Sequence, residues 1–169
     1  MRRFSGRAGP AVRVESKRER GVASVRIFRA ADADAVMAIV AESPEAAIWS
    51  EESYVKLSKE IGTLALVSET DGEISGFLVA RMVGDQAEVL NLAVGAKHRR
   101  KGEGSALLAA AFDKFASTGG TSVYLEVRES NTGAIAFYER HGFAQTGRRK
   151  EYYRNPDEAA VTMEKKLAG

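Results

Sequence analysis

Val89-Leu90-Asn91-Leu92-Ala93-Val94 leads to the loop Arg99-Arg100-Lys101-Gly102-Glu103-Gly104-Ser105, which opens onto Ala106-Leu107-Leu108-Ala109-Ala110-Ala111-Phe112. The first run is apolar and strand-like. The last has the apolar density of a buried helix. Between them lies a basic, glycine-bearing turn. A strand, such a turn and a helix N-terminus together form an anion site, because unpaired N–H groups and the helix dipole both favour negative charge. Glycine lets the backbone approach the anion without an intervening Cβ. The loop is not a nucleotide P-loop, since its lysine precedes the glycine. It is not a dinucleotide fingerprint either, which needs three glycines and normally sits in the first βα unit.

Working outward, the patterns on both sides are those of one domain. Val22 to Arg29 alternates as a strand, and Asp32 to Ala41 reads as an amphipathic helix stopped by Ser43-Pro44. Ser50 is placed to cap a second helix running to about Glu60. Leu64 to Ser68 and Glu73 to Val83 form a hairpin around Asp71-Gly72, and Gln86 to Val94 returns after Gly84-Asp85. Beyond the loop come a helix from Ser105 to Ser117, a strand from Ser122 to Val127 and a helix from Asn131 to His141 closed by Gly142. Ala144 to Tyr153 and Ala159 to Lys165 read as a final strand pair around Asn155-Pro156-Asp157. The order β-α-α-β-β-β-α-β-α-β-β predicts an α/β (α+β) fold with a mixed sheet and helices on both faces.

Composition narrows the chemistry. The chain has 169 residues, a net charge of +2 and no cysteine. Disulfides, cysteine metal sites and a cysteine acyl-enzyme are therefore excluded. His98 and His141 are the only histidines, too few for a histidine-rich metal centre, and no metal is expected. No apolar run approaches a membrane span. The small net charge gives no ground for a direct nucleic-acid partner. Residues 1–21 differ in kind: Arg2, Arg3, Arg7, Arg13, Lys17, Arg18 and Arg20 stand against only Glu15 and Glu19. They read as a flexible, solvated basic tail rather than an organellar address, which would be poor in acidic residues. Residues 22–169 read as the folded domain.

A second segment decides between the owners of such a loop. Leu125-Glu126-Val127-Arg128-Glu129-Ser130-Asn131 runs into Ala134-Ile135-Ala136-Phe137-Tyr138-Glu139-Arg140-His141-Gly142-Phe143. With the Arg-x-x-Gly-x-Gly loop, Tyr152-Tyr153, Trp49-Ser50 and the closing Ala160-Val161-Thr162-Met163, these residues resemble the GNAT superfamily of acetyl-coenzyme A-dependent N-acetyltransferases. Within it they look most like the ribosomal-protein-alanine N-acetyltransferases. The resemblance covers about residues 24 to 166. It implies a GNAT fold, with a mostly antiparallel mixed sheet of about seven strands.

The same resemblance implies a donor, a site and a mechanism. The glycine-loop strand and the next strand would splay apart, with the pantetheine arm of acetyl-CoA between them. Leu92, Ala93 and Val94 would offer backbone hydrogen bonds to that arm. Arg99, Arg100, Lys101, Gly102, Glu103, Gly104 and Ser105 would hold the pyrophosphate, and Asn131 would meet the pantetheine side while also serving as an N-cap. Glu126 would be the general base and Tyr138 the general acid. The residue types suit this chemistry, since an amine must lose a proton to attack and a departing thiolate gains one. A backbone N–H near Val94 would stabilise the oxyanion. With no cysteine to carry the acetyl group, direct transfer in a ternary complex is expected. The acceptor would be a protein N-terminus, first of all the alanine of a small-subunit ribosomal protein, in the cytoplasm. A lysine or small-molecule amine acceptor, or a non-catalytic acyl-CoA sensor, are the rival readings.

On periodicity alone several of these residues have plainer roles. Glu126 would be a surface carboxylate paired with Arg128, and Tyr138 a core aromatic. Glu88 is a rival base on the preceding strand. His98 reads as a loop residue rather than a catalyst. Trp49 either packs in the core or lines the acceptor groove. Tyr152 and Tyr153 alternate in facing, so one would pack while the other meets the acceptor. Glu103 departs from the family pattern, which has an apolar residue there. Pointing outward it would be tolerated by the dipole; pointing at the pyrophosphate it would repel it.

Overall fold

The computed structural model describes residues 23–168. The expectation for residues 1–21 lies outside the described residues, as do the two ends of the 22–169 domain assignment. Seven strands form one sheet in the order β1-β2-β3-β4-β5-β7-β6. They are β1 (Ser24–Ile27), β2 (Thr63–Thr70), β3 (Glu73–Val83), β4 (Gln86–Val94), β5 (Ser122–Arg128), β6 (Ala144–Tyr153) and β7 (Glu158–Lys166). Every neighbouring pair is antiparallel except β4 and β5. The helices are α1 (Ala33–Ala41), α2 (Glu51–Ser58), α3 (Glu103–Ser117) and α4 (Thr132–Arg140). The expected mixed sheet and element order are observed. The last strand in sequence, β7, is inserted inside β6, so β6 forms an edge.

Each face carries its own core. Leu107, Leu108, Ala111 and Phe115 form the buried stripe of α3 and pack on Leu66, Leu78, Val89 and Leu125. Residues on α4 complete this layer through Phe137 and Tyr138. The spacing is that of a helix covering a sheet. On the other face, Val36, Ile39 and Val40 of α1 and Tyr54 of α2 cover Val67, Phe77, Val79 and Ala93. Two adjacent residues of β4, Leu92 and Ala93, thus serve opposite cores, as strand alternation requires.

Local signals set most boundaries. Ser50 Oγ accepts from the Ser53 N–H at 3.1 Å, the expected cap of α2. Gly142, at φ +90°, closes α4. The first helix is preceded by a 3-10 turn, Ala30–Asp32. Its position is fixed by an ion pair that spacing does not show: Arg26 on β1 donates to both Asp32 oxygens at 2.8 Å and to Glu69 on β2 at 2.8 Å. The guanidinium holds the buried Asp32 carboxyl below the usual range. No helix among the described residues is long and apolar enough to cross a membrane.

Candidate active site

The site begins where β4 and β5 separate. They pair only at Gln86↔Ser122, Ala87↔Val123 and Glu88↔Tyr124. On the other side of β4, Val79 of β3 opposes Asn91 while Ala80 opposes Val89, so Leu90 is a bulged extra residue. A bulge bends its strand and re-aims it. Here the bend falls just after the last β4–β5 pair. A cavity of about 1390 Å³ opens in the gap, running from the N-terminus of α3 to the loop between α1 and α2.

The α3 end is built from backbone. Arg100 and Gly102 take positive φ, 60° and 87°, and Gly102 caps the helix. The first helical acceptor, the Gly102 carbonyl, receives the Ala106 N–H at 3.0 Å. The N–H groups of Glu103, Gly104 and Ser105 precede that bond and have no intrahelical acceptor, which makes them an anion cradle. Gly104 has a second reason to lack a side chain. A Cβ there would lie 3.1 Å from Phe137 Cζ, so the residue lets α3 start close against α4.

Not every basic residue of the loop joins this cradle. Arg99 lines the cavity with its guanidinium already engaged: its Nε donates to the Val94 carbonyl at 3.0 Å, and its Nη2 to the Glu42 carbonyl at 2.8 Å and to Ser43 Oγ at 3.2 Å. The guanidinium ties the loop to the C-terminal end of α1, where free carbonyls need donors. Lys101 is exposed and lies off the cavity wall, whereas Arg100 lines it. Glu103 adopts neither expected orientation. It is 3% exposed and turns into the sheet, where Thr70 Oγ1 donates to it at 2.6 Å and Ser75 Oγ at 2.8 Å. Ser105 Oγ lies 2.9 Å from Nε2 of His141, a partner that sequence spacing does not suggest. Asn131 caps α4, its Oδ1 accepting the Ala134 N–H at 3.1 Å, and its Nδ2 donates to no group among the described residues. Leu92, Ala93 and Val94 all line the cavity.

The opposite end is built from side chains. Glu126 projects from β5 on the face away from α3, its side chain 22% exposed. Its partner is Arg149 of β6, at 2.8 Å, and not Arg128. Arg128 pairs instead with Glu158 at 3.3 Å and lies 4.4 Å above the Tyr153 ring. Arg149 also lies 4.3 Å above the Tyr152 ring. The Tyr152 hydroxyl is raised above its ordinary pKa, first by its hydrogen bond to the Glu126 carboxylate and then by burial. Tyr152 is 42% exposed at the cavity rim, and Tyr153 is more covered, its hydroxyl pushed up to about 12 by burial. Glu88 shares the cavity but is more exposed, its side chain at 48%, and lies 3.8 Å from Arg81.

Tyr138 packs against the core and also borders the cavity. Its ring packs edge-on against Phe137 and Phe143, at 5.3 and 5.5 Å, while the residue also lines the cavity. Burial pushes its hydroxyl well above the ordinary range. Trp49 likewise does both: its ring lies 5.2 Å from Tyr54, and it lines the cavity. His98 is buried in the turn after β4 and does not line this cavity.

Spacing also gave no sign of Asn91. It is buried on β4, and its Nδ2 donates to the Ala47 carbonyl and to Tyr54 Oη, each at 3.0 Å, while its Oδ1 accepts the Ala47 N–H at 3.3 Å. This amide fastens the α1–α2 loop over the cavity. An asparagine inside an apolar strand run is the one sequence signal that could have pointed to it.

Known proteins are similar to this chain in sequence and in fold. Residues 31–143 match the Acetyltransferase (GNAT) family. The ribosomal protein bS18-alanine N-acetyltransferase of Escherichia coli (strain K12) is 35% identical over 117 residues, 68% of this chain and 78% of that protein. The crystal structure of the ribosomal-protein-S18-alanine N-acetyltransferase from Escherichia coli has a TM-score of 0.77 and 29% identity, over 88% of this chain and 96% of that one. Ard1 from Thermoplasma volcanium has a TM-score of 0.79 and 29% identity, over 87% and 99%.

Proposed function

Since the chain belongs to the GNAT acetyltransferase family, we propose that it transfers an acetyl group from acetyl-CoA to the N-terminal α-amine of a protein. The first-choice acceptor is the N-terminal alanine of a ribosomal protein, in the cytoplasm. The family uses acetyl-CoA as donor, and the cavity suits that molecule at both ends. We assign the catalytic domain to residues 22–169, with residues 1–21 outside it. The observation that carries the reading is the placing of Glu126 and Tyr138 on one cavity that also reaches the α3 N–H cradle.

Bound acetyl-CoA supplies an acetyl group activated as a thioester. The N–H groups of Glu103, Gly104 and Ser105, with Arg100, would hold its pyrophosphate. The backbone of Leu92, Ala93 and Val94 and Nδ2 of Asn131 would hold the pantetheine arm. Arg99, which lines the cavity while fixing the loop to α1, and Lys101 of the same loop would add positive charge beside it. An α-amine with a pKa near ~8 is mostly protonated at neutral pH. Glu126 takes that proton, directly or through one water. The amine nitrogen then bonds to the acetyl carbon, the carbon–sulfur bond breaks, and the nitrogen sheds its second proton to water to leave the neutral amide. Tyr138, protonated at neutral pH as tyrosines are, gives its proton to the departing sulfur and is reprotonated from solvent. Transfer is direct, because no cysteine is present to carry the acetyl group.

Thiol release from acetyl-CoA, measured with Ala-starting and Lys-containing peptides, tests this. The Ala-starting peptide is expected to react and to gain one acetyl group at its α-amine by mass spectrometry. Release only with the Lys-containing peptide would reassign the acceptor to a side-chain amine. CoA binding with no transfer to either would overturn the protein-acceptor reading.

A further inference from the structure

Glu103 is the first residue of α3 and sits 3% exposed. Its two oxygens accept from Thr70 Oγ1 at 2.6 Å and Ser75 Oγ at 2.8 Å. Ser75 Oγ in turn lies 2.9 Å from Ser68 Oγ. Space for this chain of hydroxyls is reserved by Gly76, where a Cβ would come within 2.9 Å of Ser68 Oγ and 3.1 Å of the Ala93 carbonyl. Among the described residues no cation pairs with Glu103. Buried carboxylates are normally matched to a positive charge. Here the compensation comes from neutral hydroxyls and from the positive end of α3.

That helix end is also the cradle for the donor's pyrophosphate. We infer that Glu103 is an affinity-setting residue: its buried charge competes with the pyrophosphate for the α3 N-terminus, while its hydroxyl cage locks the cofactor loop to the β2–β3 hairpin. This rests on the acetyl-CoA reading above. The two effects have opposite signs. The charge weakens the hold on any ligand bearing a diphosphate. The cage strengthens it, by keeping the first turn of α3 in register with the sheet and the carboxylate turned away from the cavity. Neither effect touches the reacting atoms, so Glu103 is a positioning residue. The device suits an enzyme that must release CoA after each turnover, since the residue acts equally on donor and product.

The test is a titration of the full chain by calorimetry, with CoA and, by competition, pantetheine, which has the same thiol arm and no phosphate. Glu103→Gln keeps the shape and one acceptor oxygen but removes the charge. It is expected to tighten CoA about fivefold, the size of a charge–dipole interaction at a helix end. Pantetheine affinity is expected to stay within about twofold, because that ligand does not reach the cradle. Ser75→Ala keeps the charge and opens the cage. It is expected to weaken CoA by about fivefold and again to spare pantetheine. CoA bound no tighter by Glu103→Gln, or pantetheine tightened as much as CoA, would overturn the inference. A wild-type chain that binds CoA no better than pantetheine would overturn it too. A chain that shows these CoA responses but acetylates no peptide would sink the proposed acceptor and leave the inference standing.

Discussion

The two ends of the cavity are made of different materials. At the α3 end the working groups are backbone N–H donors, held by Gly102 at φ 87° and by Gly104 against Phe137. At the β5–β6 end they are side chains held by other side chains: Glu126 by Arg149, and Arg149 over Tyr152. Backbone dipoles are fixed once the helix forms and cannot reorganise when a ligand arrives. Side-chain pairs can exchange partners, which a base must do to take a proton. The difference teaches that the α3 end offers a fixed shape and the β5–β6 end offers movable charge.

The largest expected effect is at the charge end. Glu126→Gln should lower kcat by about 100-fold, within the usual range for losing a general base, and leave CoA affinity unchanged by calorimetry. Unchanged turnover would move the base to Glu88, which shares the cavity, and Glu88→Gln would then carry the loss. Tyr138→Phe removes one hydroxyl and keeps the ring packing. It should lower kcat by at least ~10-fold, with a larger loss for a thioester whose leaving thiol is more basic.

At the shape end the order reverses. Gly104→Ala places a methyl 3.1 Å from Phe137 Cζ. The ring must yield by a few tenths of an ångström, so unfolding free energy should fall by ~1 kcal/mol. CoA affinity should fall by more than kcat does, because the substitution displaces the N–H cradle rather than the proton relay. A loss in kcat with CoA affinity intact would break the comparison between the ends.

The smallest catalytic effect belongs to a residue at neither end. Asp32→Asn loses the Arg26 pair and should cost ~2 kcal/mol of stability at neutral pH, with kcat and KM unchanged. The folded-state pKa of Asp32 lies below its ordinary value of 3.8. Its contribution is therefore complete above that value and is lost as pH falls through the folded pKa. Urea unfolding from pH 6 down to pH 2 should show the wild type losing this increment and Asp32→Asn losing less. Parallel acid curves would mean that the ion pair adds nothing.

Much of this was legible beforehand, for physical reasons. Alternation exposed the strands, and helix spacing exposed α3, because both follow from backbone periodicity. Gly102, Asn131 and Ser50 were readable because caps and left-handed turns act within a few residues. The partners of charged residues were not. Glu126 pairs with Arg149 rather than its strand neighbour Arg128, because β7 sits between β5 and β6 and brings β6 within reach. Arg99 lines the cavity as its position suggests, and its hydrogen bond to the Glu42 carbonyl at the end of α1 was not legible. Glu103 looked like a liability beside the pyrophosphate, and its hydroxyl partners lie 33 and 28 residues away in sequence.

The sequence by itself determined the element order, the glycine loop with its unpaired N–H groups, and the presence of a carboxylate and a phenol at the positions proposed for proton transfer, all of which depend on local geometry and chemistry. Only the tertiary structure decided where β4 and β5 part, which arginine holds Glu126, and where the Glu103 carboxylate is hidden. Those are set by the Leu90 bulge, by the insertion of β7, and by the β2–β3 hairpin lying under α3. Each brings together groups from distant parts of the chain, and no local periodicity encodes such meetings.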